Sequence, residues 1–325
     1  MRLLARMARW PRRLRVGACL LAALAVVAVC GPWFAADPAA IVDPRATALL
    51  PPGSRRVVLE LRDGTGVAGE AAHQANGFWV ITRRGNEEKL PIADVTKAST
   101  RRFWLGTDTV GRDVLARLLS GARVSLGVGS LALAVALLVG VGAGLVSGWA
   151  GGIADAVLMR IVDALLAVPM LFLLLFLAAV FRPSLAALIA VLGFSSWMGV
   201  ARLVRGQVLS LKEREFVLAA RAIGASPWRI AFVHLLPNAL TPVAQDGALR
   251  LGDLILVEAS LSFLGLGVQP PTSSWGNMVA DGQAVLANAW WLTFLPVALV
   301  ALTVIAAALV ADGLQEIARR EGSAR

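Results

Sequence analysis

The chain has 325 residues, of which 58% are hydrophobic and only 16% are charged, and its net charge is +10. Soluble domains are about half apolar and about a quarter charged, so this composition excludes an ordinary soluble globular protein. The arginines lie at the ends of apolar runs and in loops, as membrane orientation requires, which argues against a surface for nucleic acid. We therefore expect an all-α polytopic membrane protein.

The first apolar run extends from Val16 to Phe34 and follows six arginines with no acidic residue among them. About 20 apolar residues cross a bilayer, so residues 1–36 are predicted to be a cytoplasmic N-terminus and a retained first span rather than a cleaved signal peptide. Cys19 and Cys30 both lie in this helix, about 16 Å apart by rise alone, so no disulfide joins them.

Residues 37–104 form a long segment without membrane character. Three stretches, 56–62, 77–82 and 90–95, are rich in β-branched and aromatic residues, and turn signals at 63–64 and 84–86 separate them. They predict a small β-rich periplasmic insertion over about residues 54–97. The insertion is either a solvated decoration or a contact surface for a substrate-delivering protein.

Residues 105–123 form an amphipathic segment that begins with the string LGTDTVGRD and continues through Arg117 and Gly121. The string predicts a capped turn, followed by a short helix at the membrane surface before the second span. Its charges would then lie at the depth of the interface, where charged side chains cost little.

Five further apolar runs are long enough to cross a membrane and, with the first, predict six transmembrane helices: 124–146, 164–181, 183–204, 240–264 and 291–310. Pro169 should kink the third of the six spans. Glycines in the second span permit close helix packing in lipid: Gly127, Gly129, Gly140, Gly142 and Gly144.

The loop charges predict the orientation. The 265–289 gap contains no Lys or Arg, whereas the 205–237 gap contains five basic residues and the tail 314–325 contains three arginines. Basic residues of short loops stay in the cytoplasm. Both termini and the 205–237 gap are therefore predicted to be cytoplasmic, and the 265–289 gap external.

Residues 210–237, which we call the elbow, are a polar island between two apolar spans. Ser210 and Glu213 predict a capping box that starts a short helix, and Gly224 is suited to end it in the left-handed conformation. Ser226 followed by Pro227 predicts that a second helix begins at once. The elbow is thus predicted to be two short helices with a sharp corner.

The elbow resembles the EAA loop of ABC importer permeases, E-A-A-x-x-x-G-x9-I-x-L-P. Ala219, Ala220, Gly224, Leu236 and Pro237 are in register, while Leu218 replaces the usual Glu and His234 the usual Ile. The string LGTDxxGRD and the later FLGLGxQPPxxxWG, from residue 263 to residue 276, are similar to segments of the dipeptide/oligopeptide permeases (DppC/OppC family). The glycines and paired prolines of the later string predict either a re-entrant loop or a plain surface turn.

This resemblance implies a type I ABC importer permease domain over residues 124–313 in a bacterial inner membrane. The implied partners are a second, related permease subunit, two ATP-binding cassette subunits, a solute-binding protein and membrane lipid, with no nucleic acid. The implied substrates are di- or oligopeptides, with nickel or another small solute as the alternative. The residues of the implied ATPase-coupling loop are Ala219, Ala220, Gly224, Ala225, Ser226, Leu236 and Pro237.

No catalytic or metal-binding constellation is evident in the sequence. The two histidines, His73 and His234, are distant from each other, and the chain has no G-x-x-x-x-G-K-[ST] string. We therefore expect no enzyme activity, metal or cofactor in this chain, and ATP and Mg on the partner subunits.

The fifth span carries four charged residues: Asp246, Arg250, Asp253 and Glu258. The first three fall on one stripe of a helix, where Arg250 is spaced to pair with either aspartate. They either line a watery pathway or hold helices together. A secondary carrier or channel and a membrane-anchored scaffold are the alternatives from other classes. The carrier would need an inverted repeat, which the sequence does not show.

Overall fold

The computed structural model describes residues 10–83, 85–169, 172, 176, 180 and 184–323. The chain divides into two compact units. The first comprises Met1–Leu24, Leu126–Leu261 and Val300–Arg325, and the second comprises Ala25–Ser125 and Ser262–Leu299.

Long helices make up most of the chain. They are α1 (Arg12–Phe34), α3 (Val114–Ala150), α5 (Leu185–Leu211), α8 (Leu236–Phe263) and α10 (Trp291–Ser323). Within the described residues, four of these, all but α8, are long and apolar enough to cross a membrane. Helix α8 has 28 residues, which is sufficient length, but it carries the four charged residues of the predicted fifth span.

The third predicted span falls largely outside the described residues. Helix α4 (Gly152–Leu166) ends before Pro169, and the chain that follows Pro169 lies largely outside the described residues, so the kink there stays a prediction. Six spans therefore stay a prediction.

The short helix predicted before the second span is not a separate element. Helix α3 begins at Val114 and continues without a break into the span as one 37-residue helix. No proline interrupts this helix. A Cβ on Gly121 would lie only 3.2 Å from the Trp275 ring, so the absence of a side chain at Gly121 lets the ring pack closely against the helix.

Small residues bring the helices of the first unit together. A Cβ on Gly140 would lie 2.6 Å from Val200, and one on Gly144 would lie 2.7 Å from Val204. Glycines four residues apart form one stripe of α3, which packs against α5. A Cβ on Gly129 would likewise lie 2.5 Å from Ile255 of α8, whereas a Cβ on Gly127 or Gly142 would meet no atom within 4 Å, so these two glycines make no close helix contact within the described chain.

The second unit contains six strands: β1 (Ser54–Leu61), β2 (Gly66–Gly69), β3 (Ala71–Ala75), β4 (Phe78–Arg83), β5 (Asn86–Pro91) and β6 (Val95–Phe103). They form two antiparallel three-stranded sheets, ordered β2-β1-β6 and β3-β4-β5. A short helix, α2 (Pro44–Thr47), precedes them. The stretches 56–62 and 77–82 match β1 and β4, but 90–95 is not one strand, because a 3-10 turn at Ile92–Asp94 separates β5 from β6.

The segment between α8 and α10 contains one further helix, α9 (Trp275–Gln283). Its first turn is closed by a capping box, in which Ser274 accepts from the backbone of Asn277 and the Asn277 side chain accepts from the backbone of Ser274. Trp275 and Met278 of this helix are almost fully buried. The segment is therefore not a plain surface turn, and a re-entrant path stays a prediction.

Candidate functional site

The elbow does not begin with the predicted capping box. Ser210 lies in the last turn of α5, which continues to Leu211, and the short helix α6 (Glu215–Ala222) starts after Arg214 without a side-chain cap. The prediction failed because Leu211, one residue beyond Ser210, packs against the buried cluster that contains Val208, so the apolar face of α5 extends past the predicted boundary.

The predicted corner at Gly224 is confirmed, since its φ of +77° is left-handed. The backbone N–H of Gly224 donates to the Arg221 carbonyl (3.0 Å), and that of Ala225 donates to the Ala220 carbonyl (3.0 Å). These two bonds are the Schellman arrangement, which satisfies the last carbonyls of α6. A side chain other than Gly at this φ is strained, so the motif depends on Gly224.

The second helix begins two residues later, as predicted. Ser226 accepts a hydrogen bond from the backbone N–H of Arg229 (3.3 Å), and Pro227 occupies the first turn of α7 (Pro227–Arg229). Only Ala225 separates the left-handed residue from the next cap. The corner is therefore short and fully hydrogen-bonded.

The elbow has no break at Pro237. Helix α7 continues into a π-helical segment, Ile230–Leu235, and then directly into α8, so Pro237 lies in the first turn of the long helix. Proline lacks an N–H and its ring clashes with the preceding turn, and a wider π-turn just before it relieves both effects. The elbow is thus continuous with α8.

The inner face of the elbow is packed. Val217 and Ala220 of α6 and Ile230 and Leu235 of the π-helical segment belong to one buried cluster with Val208 of α5. The Ala220 carbonyl also accepts the hydrogen bond from the backbone N–H of Ala225. The side chain of Ala220 thus packs in the cluster while its backbone closes the turn. The cluster joins both arms of the elbow to the spans.

The outer face of the elbow is apolar and exposed. Ile223 is 85% exposed and Trp228 is 74% exposed, and Trp228 stacks on Phe232 with 5.8 Å between the ring centroids. Of the predicted coupling residues, Ala219, Gly224, Ser226 and Pro237 are exposed, Ala225 and Leu236 are half-buried and Ala220 is buried. Ile223 and Trp228 were not predicted as site residues, although large apolar residues within a polar island are a signal of an interaction surface.

A charged pair lies at the end of α5 before the elbow. The guanidinium of Arg205 donates two hydrogen bonds, of 2.5 and 2.7 Å, to the carboxylate of Asp155 near the start of α4, and the Ser147 hydroxyl also donates to this carboxylate. These bonds, first those from Arg205, lower the pKa of Asp155 from 3.8 to about 2.

The charges of α8 have different environments. Arg250 pairs with Asp246 one turn away and also donates to the backbone carbonyl of Ser196 on α5 (3.4 Å). A Cβ on Gly199 would overlap the guanidinium, so this glycine makes room for it. Arg250 therefore connects α8 to α5.

The other two acidic residues of α8 do not share this arrangement. Asp253 is exposed and makes no ion pair within the part of the chain that the structure describes. Glu258 is fully buried. The pairing of Arg250 with both aspartates is therefore wrong for Asp253.

A second set of charges, which we call the buried charge cluster, comprises Asp108, Arg112, Arg117 and Asp281. Asp108 is 0% exposed and accepts from Arg117 (2.7 Å) and Arg112 (2.6 Å). Arg117 also donates to Asp281 of α9 (2.8 Å). The cluster thus fixes the LGTDTVGRD string and the start of α3 to α9.

Hydrogen bonds around the cluster extend this attachment. Arg117 donates to the hydroxyl of Ser273 (3.3 Å), and the Trp275 indole donates to the carbonyl of Leu118 (3.2 Å). The Trp291 indole donates to the carbonyl of Thr107 (3.3 Å). The sequence analysis did not assign Asp281 a partner, because no local pattern links residues that are so far apart in the chain.

The comparisons with known proteins agree with this geometry. The profile of the family described as "Binding-protein-dependent transport system inner membrane component" matches residues 140–321, which include the whole elbow. The chain belongs to this family. It is a membrane permease component, as the resemblance of the elbow predicted.

Curated relatives of this permease chain cover most of its length. It is 42% identical to the dipeptide transport system permease protein DppC of Bacillus subtilis, over 73% of this chain and 72% of the relative. It is 39% identical to the oligopeptide permease OppC of the same organism (69% and 74%). It is also 39% identical to the di/tripeptide permease DppC of Pseudomonas aeruginosa (66% and 71%).

Proposed function

We propose that this permease chain forms half of the translocation pathway of an ATP-driven importer for di- or oligopeptides. The names of its relatives support the peptide substrate. Its proposed partners are a second permease subunit, two ATP-binding cassette subunits that hold ATP and Mg, and a solute-binding protein that delivers the peptide. The single observation that carries the proposal is the elbow, which combines a rigid corner with an exposed apolar face.

The elbow has the physical properties of a mechanical coupling element. Its corner is closed by backbone hydrogen bonds on both sides of Gly224, and its inner face is packed against α5. A force applied to Ile223 or Trp228 would therefore move α8, which continues from the elbow without a break, instead of bending the corner. No reactive group is needed for this task.

The proposed orientation places the elbow and both termini in the cytoplasm. The basic residues of the elbow support it: Lys212, Arg214, Arg221 and Arg229. In this orientation the exposed apolar face meets cytoplasmic ATPase subunits, and ATP binding there would close them and move α8.

The test replaces the exposed apolar residue Ile223 by Asp and measures how much ATPase subunit co-purifies with the permease. Ile223 is 85% exposed, so Ile223→Asp should leave the fold intact while it places a charge in the docking surface. We expect the ATPase subunit to be lost from the purified complex. Ile41→Asp, at a 52% exposed isoleucine outside the elbow, is the matched control and should retain it. Retention of the ATPase in both variants would contradict the proposal.

We further propose that Asp253 lines the pathway, whereas Asp246 and Arg250 hold α8 against α5. The support is that Asp253 is exposed while Arg250 is bound to Asp246 and Ser196. Asp253→Asn should change the uptake rate without loss of assembled protein, and Asp246→Asn should lower thermal stability. Normal uptake by a normally assembled Asp253→Asn variant would exclude the pathway role.

A further inference from the structure

The register of two strands places arginine opposite arginine. Strand β1 pairs with β6 so that Arg55 faces Arg102 and Arg56 faces Arg101. Like charges directly opposite each other destabilise a sheet. Two adjacent pairs of this kind therefore need compensation by anions or hydrogen-bond acceptors.

Hydrogen-bond acceptors and a carboxylate within the described chain offset the repulsion in only one of the two pairs, Arg56 with Arg101. Arg56 donates to the carbonyls of Ala46 (3.4 Å) and Arg55 (2.9 Å), and Arg101 lies 3.9 Å from the carboxylate of Asp113. Arg55 and Arg102 are both exposed, and their side chains make no hydrogen bond or ion pair to any residue that the structure describes.

An exposed aromatic ring stacks on one arginine of this exposed pair. The Arg102 guanidinium lies 3.9 Å from the centroid of the Trp104 ring, and Trp104 is 57% exposed. A guanidinium stacked on tryptophan keeps its N–H groups free to point outward in the plane of the group. Arg55, Arg102 and Trp104, which we call the basic-aromatic patch, thus present two unpaired planar cations beside an apolar ring.

Within the second unit, the basic-aromatic patch lies near the beginning of α10 in the chain's packing. Two residues after Trp104, a Cβ on Gly106 would lie 3.0 Å from the indole nitrogen of Trp291, the first residue of α10. Trp290, the preceding residue, is 54% exposed. Exposed tryptophans at the end of an apolar helix are typical of the level of lipid headgroups.

We propose that the basic-aromatic patch binds the phosphate of an anionic phospholipid. Guanidinium groups bind phosphate through paired hydrogen bonds, and an indole ring favours the boundary between headgroup and acyl chain. A soluble acidic protein would match the two charges but not the position of Trp104 beside the start of α10. This inference does not rest on the substrate or on the partners proposed above.

Native mass spectrometry of the detergent-solubilised full chain tests the proposal with phosphatidylglycerol and phosphatidylcholine of matched acyl chains. The wild type should prefer phosphatidylglycerol, and Arg55→Gln with Arg102→Gln should weaken binding of the first phosphatidylglycerol by about tenfold, because two charge-assisted contacts are lost. Arg62→Gln is the matched control, since Arg62 is an exposed arginine beyond the other end of β1, and it should bind as the wild type does.

Three results would overturn the proposal. The first is unchanged phosphatidylglycerol binding by the double variant, and the second is an equal loss in Arg62→Gln. The third is displacement of the lipid by millimolar glycerol phosphate, which would indicate a site for a soluble anion. Unchanged lipid binding together with lost uptake in cells would assign the patch to a protein partner instead. Thermal unfolding of each variant verifies that it is folded, as expected for exposed positions.

Discussion

The elbow exposes apolar side chains, whereas the buried charge cluster buries charged ones. In the elbow, Ile223 and Trp228 are apolar and exposed, whereas in the cluster Asp108 and Arg117 are charged and almost fully buried. Large apolar residues are usually inside and charged residues outside, so each exception calls for a physical cause. In the cluster, the partners that compensate burial are present within the chain.

The elbow and the cluster contain segments that resemble the same permease family, but the difference in burial indicates different roles for them. The carboxylate of Asp108 is bound by two arginines, so its interactions are internal and its role is to hold the structure together. The exposed face of the elbow has no such internal partner among the described residues, which suits a surface that another subunit covers. Substitutions should therefore affect stability at the cluster and coupling at the elbow.

The largest expected effect is at Arg117. Arg117→Met leaves Asp281 without this partner and Asp108 with one arginine instead of two, and breaking a buried ion pair in this way costs about 3–5 kcal/mol. We expect a large drop in the thermal unfolding temperature and in the yield of folded protein. Arg13→Met is the control, because its ion pair with Asp312 is mostly exposed and such pairs contribute less than about 1 kcal/mol. An equal drop in the unfolding temperature of Arg117→Met and Arg13→Met would show that burial does not strengthen the ion pairs of the cluster.

A smaller effect is expected at Asp155, whose ion pair with Arg205 is partly exposed. Its pKa in the folded protein is about 2 instead of 3.8, so the pair stabilises the fold above about pH 4 and loses this contribution as pH falls towards 2. At pH 7, Asp155→Asn should lower stability by about 1–2 kcal/mol after screening by solvent. Thermal unfolding at pH 7, 4 and 3 should show the difference from the wild type shrinking with acidity. A difference that grows on acidification would contradict the assigned pairing.

A change in folding free energy of similar size is expected at Gly224. A Cβ there meets no atom within 4 Å, so Gly224→Ala costs only the strain of the left-handed conformation, about 1–2 kcal/mol. The bulkier Gly224→Val should loosen the corner further, so that ATP hydrolysis continues while uptake falls. Gly206→Ala in α5 is the control: its Cβ also meets nothing within 4 Å, but its conformation is helical. Full coupling in Gly224→Val, measured as peptide taken up for each ATP hydrolysed, would contradict the mechanical role of the corner.

The parts of the elbow that follow from local chemistry were predictable from the sequence. Only Gly adopts a φ of +77° without strain, and Ser226 before Pro227 satisfies the start of a helix, so both predictions are confirmed. The capping box at Ser210 is an equally local signal but is wrong, because the packing of Leu211 against the buried cluster extends α5 past it. A local signal thus fails where a neighbouring helix has a longer apolar face than the pattern suggests.

Features that depend on distant residues were not predictable. The pairing of Arg117 with Asp281 joins residues 164 positions apart, and the guanidinium of Arg250, which pairs with Asp246, occupies the space that Gly199 leaves on α5. The π-helical segment before Pro237 likewise reflects the continuity of the elbow with α8. The sequence shows which residues are charged or helix-breaking, but only the packed structure shows which partner each one meets.

The most direct test of the account is the side of the membrane from which the elbow can be reached. Ile223→Cys, in a chain with Cys19 and Cys30 replaced by Ala, is treated with a membrane-impermeant thiol reagent. We expect labelling in inside-out vesicles, protection when the ATPase subunits are bound, and no labelling in intact cells, where the control Thr96→Cys, at an exposed position, should react. Labelling of Ile223→Cys from outside intact cells would contradict the central claim that a cytoplasmic ATPase moves this elbow.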